Sequence, residues 1–267
     1  MARQTAARPP RRKRFGQHFL HERSVITRLV EAIAPRAGDH LVEIGPGYGV
    51  LTMQLLAFPD TTLDAIEIDR DLGARLAPQL QGPRCRLHLG DALDFDFVSL
   101  ARERGAALRV VGNLPYNIST PLLFHLVAQA GAILDLHVML QREVVARLAA
   151  QPGSRDYGRL TIMLAPYFSI EHLFDVGPGA FRPPPKVWSA VARLSTRAQP
   201  LFAVSPHYAP VVAAAFMQRR KTLRNALSGL LTREQISACG IDPGARPETL
   251  SPAAFNTLAA TLDRAAH

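Results

Sequence analysis

The sequence predicts an α/β fold, with a parallel sheet covered by helices and a smaller helical region at the C-terminus. Between residues 40 and 194, short apolar strands alternate with segments of helical periodicity. A glycine-rich turn follows the first of these strands, as in open α/β sheets that bind nucleotides. After residue 205 only helical periodicities remain. This alternation predicts βαβ units, whose strands lie parallel.

The composition indicates a globular protein with an anionic partner. Hydrophobic residues make up 48% of the 267 residues, enough for the cores of one large and one small domain. The formal net charge of +9 favours nucleic acid or an acidic membrane surface as the partner. No apolar run reaches the length of a membrane span. Cys85 and Cys239 lack ligand-spaced neighbours, so we expect no metal site, no disulfide and a cytoplasmic location.

The first 14 residues are predicted to form a basic N-terminal arm. They lack acidic residues and apolar periodicity, and their cationic residues are Arg3, Arg8, Arg11, Arg12, Lys13 and Arg14. A targeting peptide is the alternative, but the segment contains no serine, and Pro9-Pro10 blocks an amphipathic helix. Residues 15–20 follow, and they either cover a ligand or pack the N-terminus against the core. A helix is expected next, from an N-cap at Ser24 to Ala34.

Residues 40–50 are predicted to form a strand, a glycine turn and the start of a helix. Gly45, Gly47 and Gly49 give the pattern G-x-G-x-G. Val50 occupies the position at which a dinucleotide fingerprint has its third glycine. Glycines at the head of a helix let the backbone approach a ligand closely. The pattern leaves NAD and S-adenosylmethionine as comparable ligands, with a purely structural turn as a third alternative.

The ends of four predicted strands carry a glycine or a polar residue. Glu67 lies roughly 20 residues after Gly45, the spacing at which an acidic side chain binds ribose hydroxyls. Asp91 ends the third strand and Asn113 the fourth, whereas Asp69 is expected to cap a helix over residues 70–76. Because the carboxyl ends of parallel strands share one edge of a sheet, these residues are expected to line one cleft. A set of unrelated capping acids is the alternative.

Residues 113–116 form a polar loop directly after a buried strand. Asn113 offers a carboxamide oxygen, Pro115 stiffens the turn, and Tyr116 adds a flat aromatic ring. An acceptor beside an aromatic ring fits a planar molecule with an exocyclic amino group, and adenine is the obvious candidate. The alternative is an Asn-Pro turn that only closes a strand.

The rest of the α/β region is predicted to contain further helices, further strands and two loops. Phe181 lies in a proline-rich loop, either as an exposed stacking surface or as a core residue. Arg155 and Arg159 belong to an earlier polar loop, where they either meet phosphate or are solvated. The expected helices cover residues 120–130 and 142–150, and the expected strands cover residues 134–141, 173–176 and 187–194.

A basic helix is predicted over residues 212–227. Its apolar positions are Val212, Phe216, Leu223 and Leu227. The basic residues between them are Arg219, Arg220, Lys221 and Arg224. Like charges four residues apart, as at Arg220 and Arg224, destabilise an isolated helix. We therefore expect these side chains to contact RNA, with a solvated helix face as the alternative.

Six sequence motifs occur together and in an informative order. They are FGQHFL at residues 15–20, VEIGPGYG at 42–49, IEID at 66–69, NLPYNIS at 113–119, FRPPPK at 181–186 and FMQRRKTLRNAL at 216–227. This set resembles the rRNA adenine N6-dimethyltransferases, and most closely the bacterial small-subunit (16S) group. The resemblance implies a Rossmann-like, class I S-adenosylmethionine-dependent methyltransferase sheet of seven strands, with a small all-helical C-terminal domain. It divides the chain into the arm (1–14), a catalytic, cofactor-binding domain (15–195) and the helical domain (196–267).

The resemblance also implies roles for individual residues. His18 and Leu20 would cover the cofactor, although many members have Asn in place of His18. The other cofactor-binding positions are Gly45 beside the methionine part, Glu67 at the ribose hydroxyls, Asp91 at the adenine amino group and Asn113 between cofactor and target. The implied catalytic residues are Asn113, Leu114, Pro115, Tyr116 and Phe181, with the two aromatic rings on either side of the base.

The residues and the resemblance together predict an S-adenosylmethionine-dependent enzyme. Its expected reaction is N6,N6-dimethylation of two adjacent adenines in the 3′-terminal hairpin loop of small-subunit rRNA, during ribosome biogenesis. The expected partner is rRNA in a pre-ribosomal small subunit, bound by a cytoplasmic monomer that spans no membrane. A non-catalytic RNA-binding assembly factor with the same fold is one alternative. A small-molecule methyltransferase is another, and the charge of +9 argues against it.

Overall fold

A computed structural model describes residues 17–218 and 220–265 of the chain. The predictions for the basic arm, for Phe15 and Gly16, and for Arg219 lie outside the described residues. In chain order the strands are β1 (Phe19–Leu20), β2 (His40–Ile44), β3 (Thr62–Glu67), β4 (Cys85–Leu89), β5 (Leu108–Asn113), β6 (Ile133–Gln141), β7 (Phe168–Val176), β8 (Phe181–Arg182) and β9 (Ser189–Thr196).

Seven of these strands form one central sheet, as predicted, in the order β4-β3-β2-β5-β6-β9-β7. The first five strands in this order are parallel, and β9 runs antiparallel to both β6 and β7. The remaining strands, β1 and β8, form a separate antiparallel ribbon in which Leu20 lies opposite Phe181. The strand order reverses at β2, between β3 and β5, and such a switch point opens a crevice at the carboxyl ends of the strands.

Helices cover the sheet and make up the region after β9. They are α1 (Arg23–Ile33), α2 (Val50–Leu56), α3 (Arg70–Leu76), α4 (Phe97–Arg104), α5 (Ser119–Ala128), α6 (Arg142–Leu148), α7 (Arg159–Leu164), α8 (Tyr208–Met217), α9 (Leu223–Ala226), α10 (Arg233–Ala238) and α11 (Pro252–Ala265). Asp69 caps α3 as predicted, because its side chain accepts hydrogen bonds from the backbone of Asp71 and Leu72. The N-cap of α1 is Glu22 and not Ser24, since the Glu22 carboxylate accepts a hydrogen bond from the Ser24 backbone.

The prediction of one continuous basic helix over residues 212–227 is wrong. Helix α8 ends at Met217, and Thr222 has an extended backbone (φ −68°, ψ 160°) before α9 begins. The backbone N–H groups of Leu223 and Arg224 donate to the carbonyls of Ala245 and Pro243, at 2.9 and 3.1 Å. These tertiary hydrogen bonds fix the chain in a turn, so Arg220 and Arg224 do not share one helical face.

Three buried apolar clusters hold the fold together, two against the sheet and one among the C-terminal helices. The third cluster also contains Tyr157 and Ile162, which precede β7. The Tyr157 hydroxyl donates to the Leu250 carbonyl at 2.8 Å, and the Tyr208 hydroxyl donates to the Ile162 carbonyl at 2.9 Å. Burial raises the pKa of both phenols, so they remain neutral donors. The C-terminal helices are thereby fixed to the sheet region by packing and by hydrogen bonds.

Two expected absences concern the described residues only. None of the helices in residues 17–218 and 220–265 is long and apolar enough to cross a membrane. Over the same residues, His, Cys, Asp and Glu side chains do not gather into a group of three or more that could hold a metal ion. Cys85 and Cys239 are free thiols.

Candidate active site

The glycine turn after β2 is held by an acid from the neighbouring strand. Gly47 has φ +57°, and a β-carbon there would lie 3.0 Å from the Phe19 ring, so the turn requires glycine. Its backbone N–H donates to Glu67 Oε2 at 3.1 Å. Glu67 Oε1 accepts a second backbone hydrogen bond, from Asp69 at 2.9 Å. Glu67 therefore connects the glycine turn to the loop after β3.

Glu67 keeps acceptor capacity on the pocket side. It is 2% exposed and lines the pocket at the carboxyl edge of the sheet. Burial raises the pKa of this carboxyl, and its hydrogen bonds to the backbone of Asp69 and Gly47 act in the opposite direction. Each carboxylate oxygen has a second lone pair after accepting one backbone hydrogen bond. Those lone pairs can accept hydrogen bonds from the hydroxyl groups of a bound ribose.

Asp91 provides a second carboxylate at the same edge. It follows β4, lines the pocket, and accepts a hydrogen bond from the Leu93 backbone through Oδ1 at 2.9 Å. Its Oδ2 makes no hydrogen bond within the described residues. A carboxylate oxygen of this kind can accept a hydrogen bond from an exocyclic amino group, which is the role that the family resemblance implies for Asp91.

Glu43 is a pocket residue that the sequence reasoning missed. It lies within β2, is 2% exposed and lines the pocket. Its Oε2 atom is buried without a hydrogen-bond partner among the described residues. Burial raises its pKa to about 7, so the carboxyl can donate as well as accept at neutral pH. The available signal was an acid in the middle of an otherwise apolar strand.

Asn113 sits at the end of β5 with its carboxamide oxygen left available. The preceding Gly112 is required by close packing, because a β-carbon there would lie 2.5 Å from the Ile44 carbonyl oxygen. The Asn113 Nδ2 donates to the His18 carbonyl at 2.8 Å, which orients the amide. Neither Asn113 Oδ1 nor the Leu114 carbonyl accepts a hydrogen bond from the described residues. Two unengaged oxygens thus lie in adjacent residues of the pocket lining.

Tyr116 is held by a hydrogen bond at its hydroxyl and by a ring contact with His18. Its hydroxyl and Ser189 Oγ are 2.6 Å apart, and Ser189 is fully buried at the start of β9. The His18 ring lies 5.5 Å away between centroids, and His18 Nδ1 is 2.7 Å from the Pro183 carbonyl. Burial raises the pKa of the Tyr116 phenol, which keeps it neutral. A neutral ring held in this way offers its face to a planar base.

One pocket gathers nearly all the residues that the sequence predicts for cofactor and target. Phe181 is the exception: it is 1% exposed, belongs to a buried apolar cluster, and does not line the pocket. Pairing of β8 with β1 places Phe181 opposite Leu20. Of the two alternatives, an exposed stacking surface and a core residue, the structure shows the core residue. The predicted residues that line the pocket are His18, Leu20, Gly45, Glu67, Asp91, Asn113, Leu114, Pro115 and Tyr116.

The predicted RNA-binding residues lie apart from this pocket. Arg220 and Lys221 occupy the exposed turn between α8 and α9, and Arg224 is exposed on α9. None of these three residues lines the pocket. Any role they have concerns the placement of a large substrate and not the reacting atoms.

Comparison with known sequences identifies close relatives along nearly the whole chain. A family model described as "Ribosomal RNA adenine dimethylase" matches residues 10–264. The Ribosomal RNA small subunit methyltransferase A of Nitrosococcus oceani is 57% identical over 243 residues, covering 90% of this chain and 91% of that protein. The protein of the same name from Pseudomonas aeruginosa is 55% identical over 259 residues, covering 94% of each chain.

Solved structures agree with the architecture. A dimethyladenosine transferase from Plasmodium falciparum matches with a TM-score of 0.78 over 92% of this chain and 98% of its own. Its sequence identity is 21%, so this likeness concerns the fold alone. The 23S rRNA methyltransferase ErmE matches with a TM-score of 0.68 and 28% identity, over 92% of this chain and 99% of its own. The family model matches nearly the whole chain, the relatives are more than half identical to it, and the chain belongs to the ribosomal RNA adenine dimethylase family.

Proposed function

We propose that the protein dimethylates the N6 atoms of two adjacent adenines in the 3′-terminal hairpin loop of small-subunit rRNA. The observation that carries this proposal is the pair of unengaged oxygens on Asn113 and Leu114, beside the Tyr116 ring. An adenine amino group has two N–H donors, and these two oxygens can accept one hydrogen bond from each. The close relatives are named as small-subunit rRNA methyltransferases, which supports the choice of RNA.

The pocket fits S-adenosylmethionine, the methyl donor of this family. When bound, the cofactor supplies a methyl group on a positively charged sulfonium. Glu67 would hold the ribose hydroxyls, and Asp91 the amino group of the cofactor's adenine. Glu43 lines the same pocket, and its Oε2 atom, which is buried without a partner among the described residues, fits a ligand with polar groups. His18 and Leu20, which line the pocket on the side of β1, would cover the bound cofactor.

Asn113 and Leu114 would activate the target nitrogen by hydrogen bonding. The amino nitrogen of adenine is a weak nucleophile because its lone pair is delocalised into the ring. If the Asn113 oxygen and the Leu114 carbonyl accept hydrogen bonds from its two N–H groups, the nitrogen moves toward a tetrahedral shape. Its lone pair then becomes available. Positioning and charge complementarity supply the rate enhancement. Tyr116 would hold the extruded base by stacking.

Methylation of rRNA in vitro tests the proposal directly. Small-subunit rRNA or pre-ribosomal subunits lacking the modification are incubated with the protein and S-adenosylmethionine, and the nucleosides are analysed by mass spectrometry. We expect N6,N6-dimethyladenosine at two adjacent positions. Tight rRNA binding without any methylated adenosine would instead favour a non-catalytic assembly factor.

We expect the protein to bind S-adenosylmethionine and not NAD. The basis is the turn containing Gly45 and Gly47 and the acid Glu67. In addition, Val50 stands where a dinucleotide fingerprint has its third glycine. Calorimetric titration with each ligand measures this preference. Binding of NAD without detectable binding of S-adenosylmethionine would contradict the cofactor assignment, whatever the RNA substrate.

For its partner, we propose that the protein acts as a cytoplasmic monomer on a pre-ribosomal small subunit. The helices that follow β9 would form a small domain, residues 196–267, that contacts rRNA phosphates. Exposed cations in its turn and on α9 support this placement, and Arg219 is included on sequence grounds alone. The exposed members are Arg220, Lys221 and Arg224.

Replacing Arg220 and Arg224 by alanine is expected to weaken rRNA binding and its dependence on salt. Each lost phosphate contact reduces the number of counterions released, so the log–log salt slope should become shallower by about one to two units. RNA affinity is measured across a salt series for both proteins. The matched control replaces Arg75 on α3 and Arg102 on α4, which removes the same charge elsewhere. Equal slopes for all three proteins would place the RNA surface away from α9.

A further inference from the structure

Trp188 is an exposed aromatic residue beside the active-site pocket, and it is the chain's single tryptophan. Its side chain is 52% exposed, although the next residue, Ser189, is fully buried. One part of the ring packs on Gly177, where a β-carbon would lie 3.6 Å from it. Residue 188 therefore presents a large part of its surface to solvent. An exposed indole offers a flat aromatic face on which a planar ring can stack.

The position of Trp188 ties it to the loop that holds the target base. Ser189 pairs with Gln141 of β6 and with Val176 of β7, and its hydroxyl is 2.6 Å from the Tyr116 hydroxyl. Only β6 separates β9 from β5 in the sheet. With neighbouring strands spaced by about 4.8 Å, the start of β9 lies roughly 10 Å from the end of β5. Trp188 thus lies at the same edge of the sheet as Asn113.

Two exposed cations lie close to Trp188. Lys186 precedes it by two residues in the chain, is exposed, and has no carboxylate within 4.0 Å in the described part of the chain. The Arg142 backbone N–H donates to the Trp188 carbonyl at 2.9 Å, and the Arg142 side chain is 60% exposed. Asp175 lies 3.5 Å from Arg142 and neutralises part of its charge. Cations beside an exposed aromatic ring are complementary to single-stranded RNA, because its phosphates bind cations and its bases stack on aromatic rings.

We propose that Trp188 stacks on the unpaired nucleobase of the rRNA substrate that flanks the target adenine. This inference rests on the proposed function, since it assumes that an adenine is extruded toward Tyr116. Extrusion leaves the neighbouring base without its stacking partner, and an exposed indole can replace that partner. Trp188 touches neither the cofactor nor the reacting nitrogen. It is a positioning residue for the substrate, and its stacking is distinct from the phosphate contacts that Lys186 and Arg142 would make.

Tryptophan fluorescence provides a direct readout at this position. Because the chain has one tryptophan, selective excitation reports on Trp188 alone. We expect unmodified small-subunit rRNA to quench and shift this emission on binding. Single-stranded oligoadenylate is expected to do the same, whereas an abasic oligonucleotide with the same phosphates is not. The abasic probe separates stacking from attraction of phosphate to the nearby cations.

Variants then measure what the stacking contributes. Trp188→Ala should weaken rRNA affinity and raise KM by about tenfold, with little change in kcat, whereas Trp188→Phe should retain most of the affinity. Leu134→Ala is the matched control, since it removes a side chain of similar exposure (51%) from the opposite end of β6. Calorimetric titration of S-adenosylmethionine should give the same affinity for every variant. If Trp188→Ala fails to fold, the wild-type fluorescence with the normal and the abasic oligonucleotide still decides.

Two results would overturn the inference. One is unchanged Trp188 emission when wild-type protein is saturated with rRNA. The other is equal quenching by the abasic and the normal oligonucleotide. Failure of the proposed function has a different signature, because the wild-type protein would then form no methylated adenosine in rRNA.

Discussion

Replacing Asn113 by alanine is expected to lower the rate of methyl transfer by about a hundredfold or more. The substitution removes the acceptor that we assign to the target amino group, which corresponds to roughly 3 kcal/mol of transition-state stabilisation. Single-turnover kinetics on rRNA, with saturating S-adenosylmethionine, measures this rate. RNA affinity is expected to stay near the wild-type value.

The structure adds one expectation to this experiment. Because Asn113 also donates to the His18 carbonyl at 2.8 Å, its loss should loosen the segment beside the pocket and weaken cofactor binding modestly. Cofactor affinity is therefore measured separately for each protein. Gln54→Ala is the control, since it removes a carboxamide from the exposed side of α2. Near-full turnover of Asn113→Ala at saturating cofactor would show that Asn113 only shapes the turn and does not accept the target amino group.

Replacing Glu67 by alanine is expected to weaken S-adenosylmethionine binding by about a hundredfold and also to destabilise the fold. The buried N–H groups of Gly47 and Asp69 would lose their acceptor, and each such loss costs about 1–3 kcal/mol. The bound ribose would lose its acceptor as well. Calorimetric titration measures the affinity, and urea unfolding measures the stability.

A modified ligand separates the two effects of this substitution. The 2′-deoxyribose analogue of S-adenosylhomocysteine should bind the wild-type protein more weakly than the parent compound, because one hydroxyl is missing. Glu67→Ala should no longer distinguish the two ligands. Glu31→Ala, which removes an exposed carboxylate from α1, is the control. If Glu67→Ala still discriminates between them, another residue holds the ribose.

Much of the pocket could be predicted from local sequence because it follows strand ends. Each of Gly45, Glu67, Asp91 and Asn113 ends or follows a parallel strand, and the carboxyl ends of such strands meet at one edge. Glu43 was missed for the same reason. It lies inside a strand, where periodicity indicates burial but does not indicate that the side chain meets a cleft.

Errors arose where contacts distant in sequence control the backbone or the side chain. The apolar spacing over residues 212–227 fits one helix, but hydrogen bonds to Ala245 and Pro243 impose a turn before α9. Phe181 could have been a surface ring or a core ring from its sequence alone. Its pairing opposite Leu20 fixes it in the core.

The sequence by itself determined the α/β alternation and the pocket residues at the strand ends, and its motifs, through the family resemblance, implied the seven-stranded sheet. Those features depend on hydrophobic periodicity, on glycine turns and on motif order, all of which are local along the chain. Only the tertiary structure decided which aromatic side chain faces solvent beside the pocket. Phe181 and Trp188 lie seven residues apart in one proline-rich segment, yet the first is 1% exposed and the second 52%. The difference arises because β8 pairs with β1 and β9 pairs with β6 and β7, and neither pairing is encoded locally.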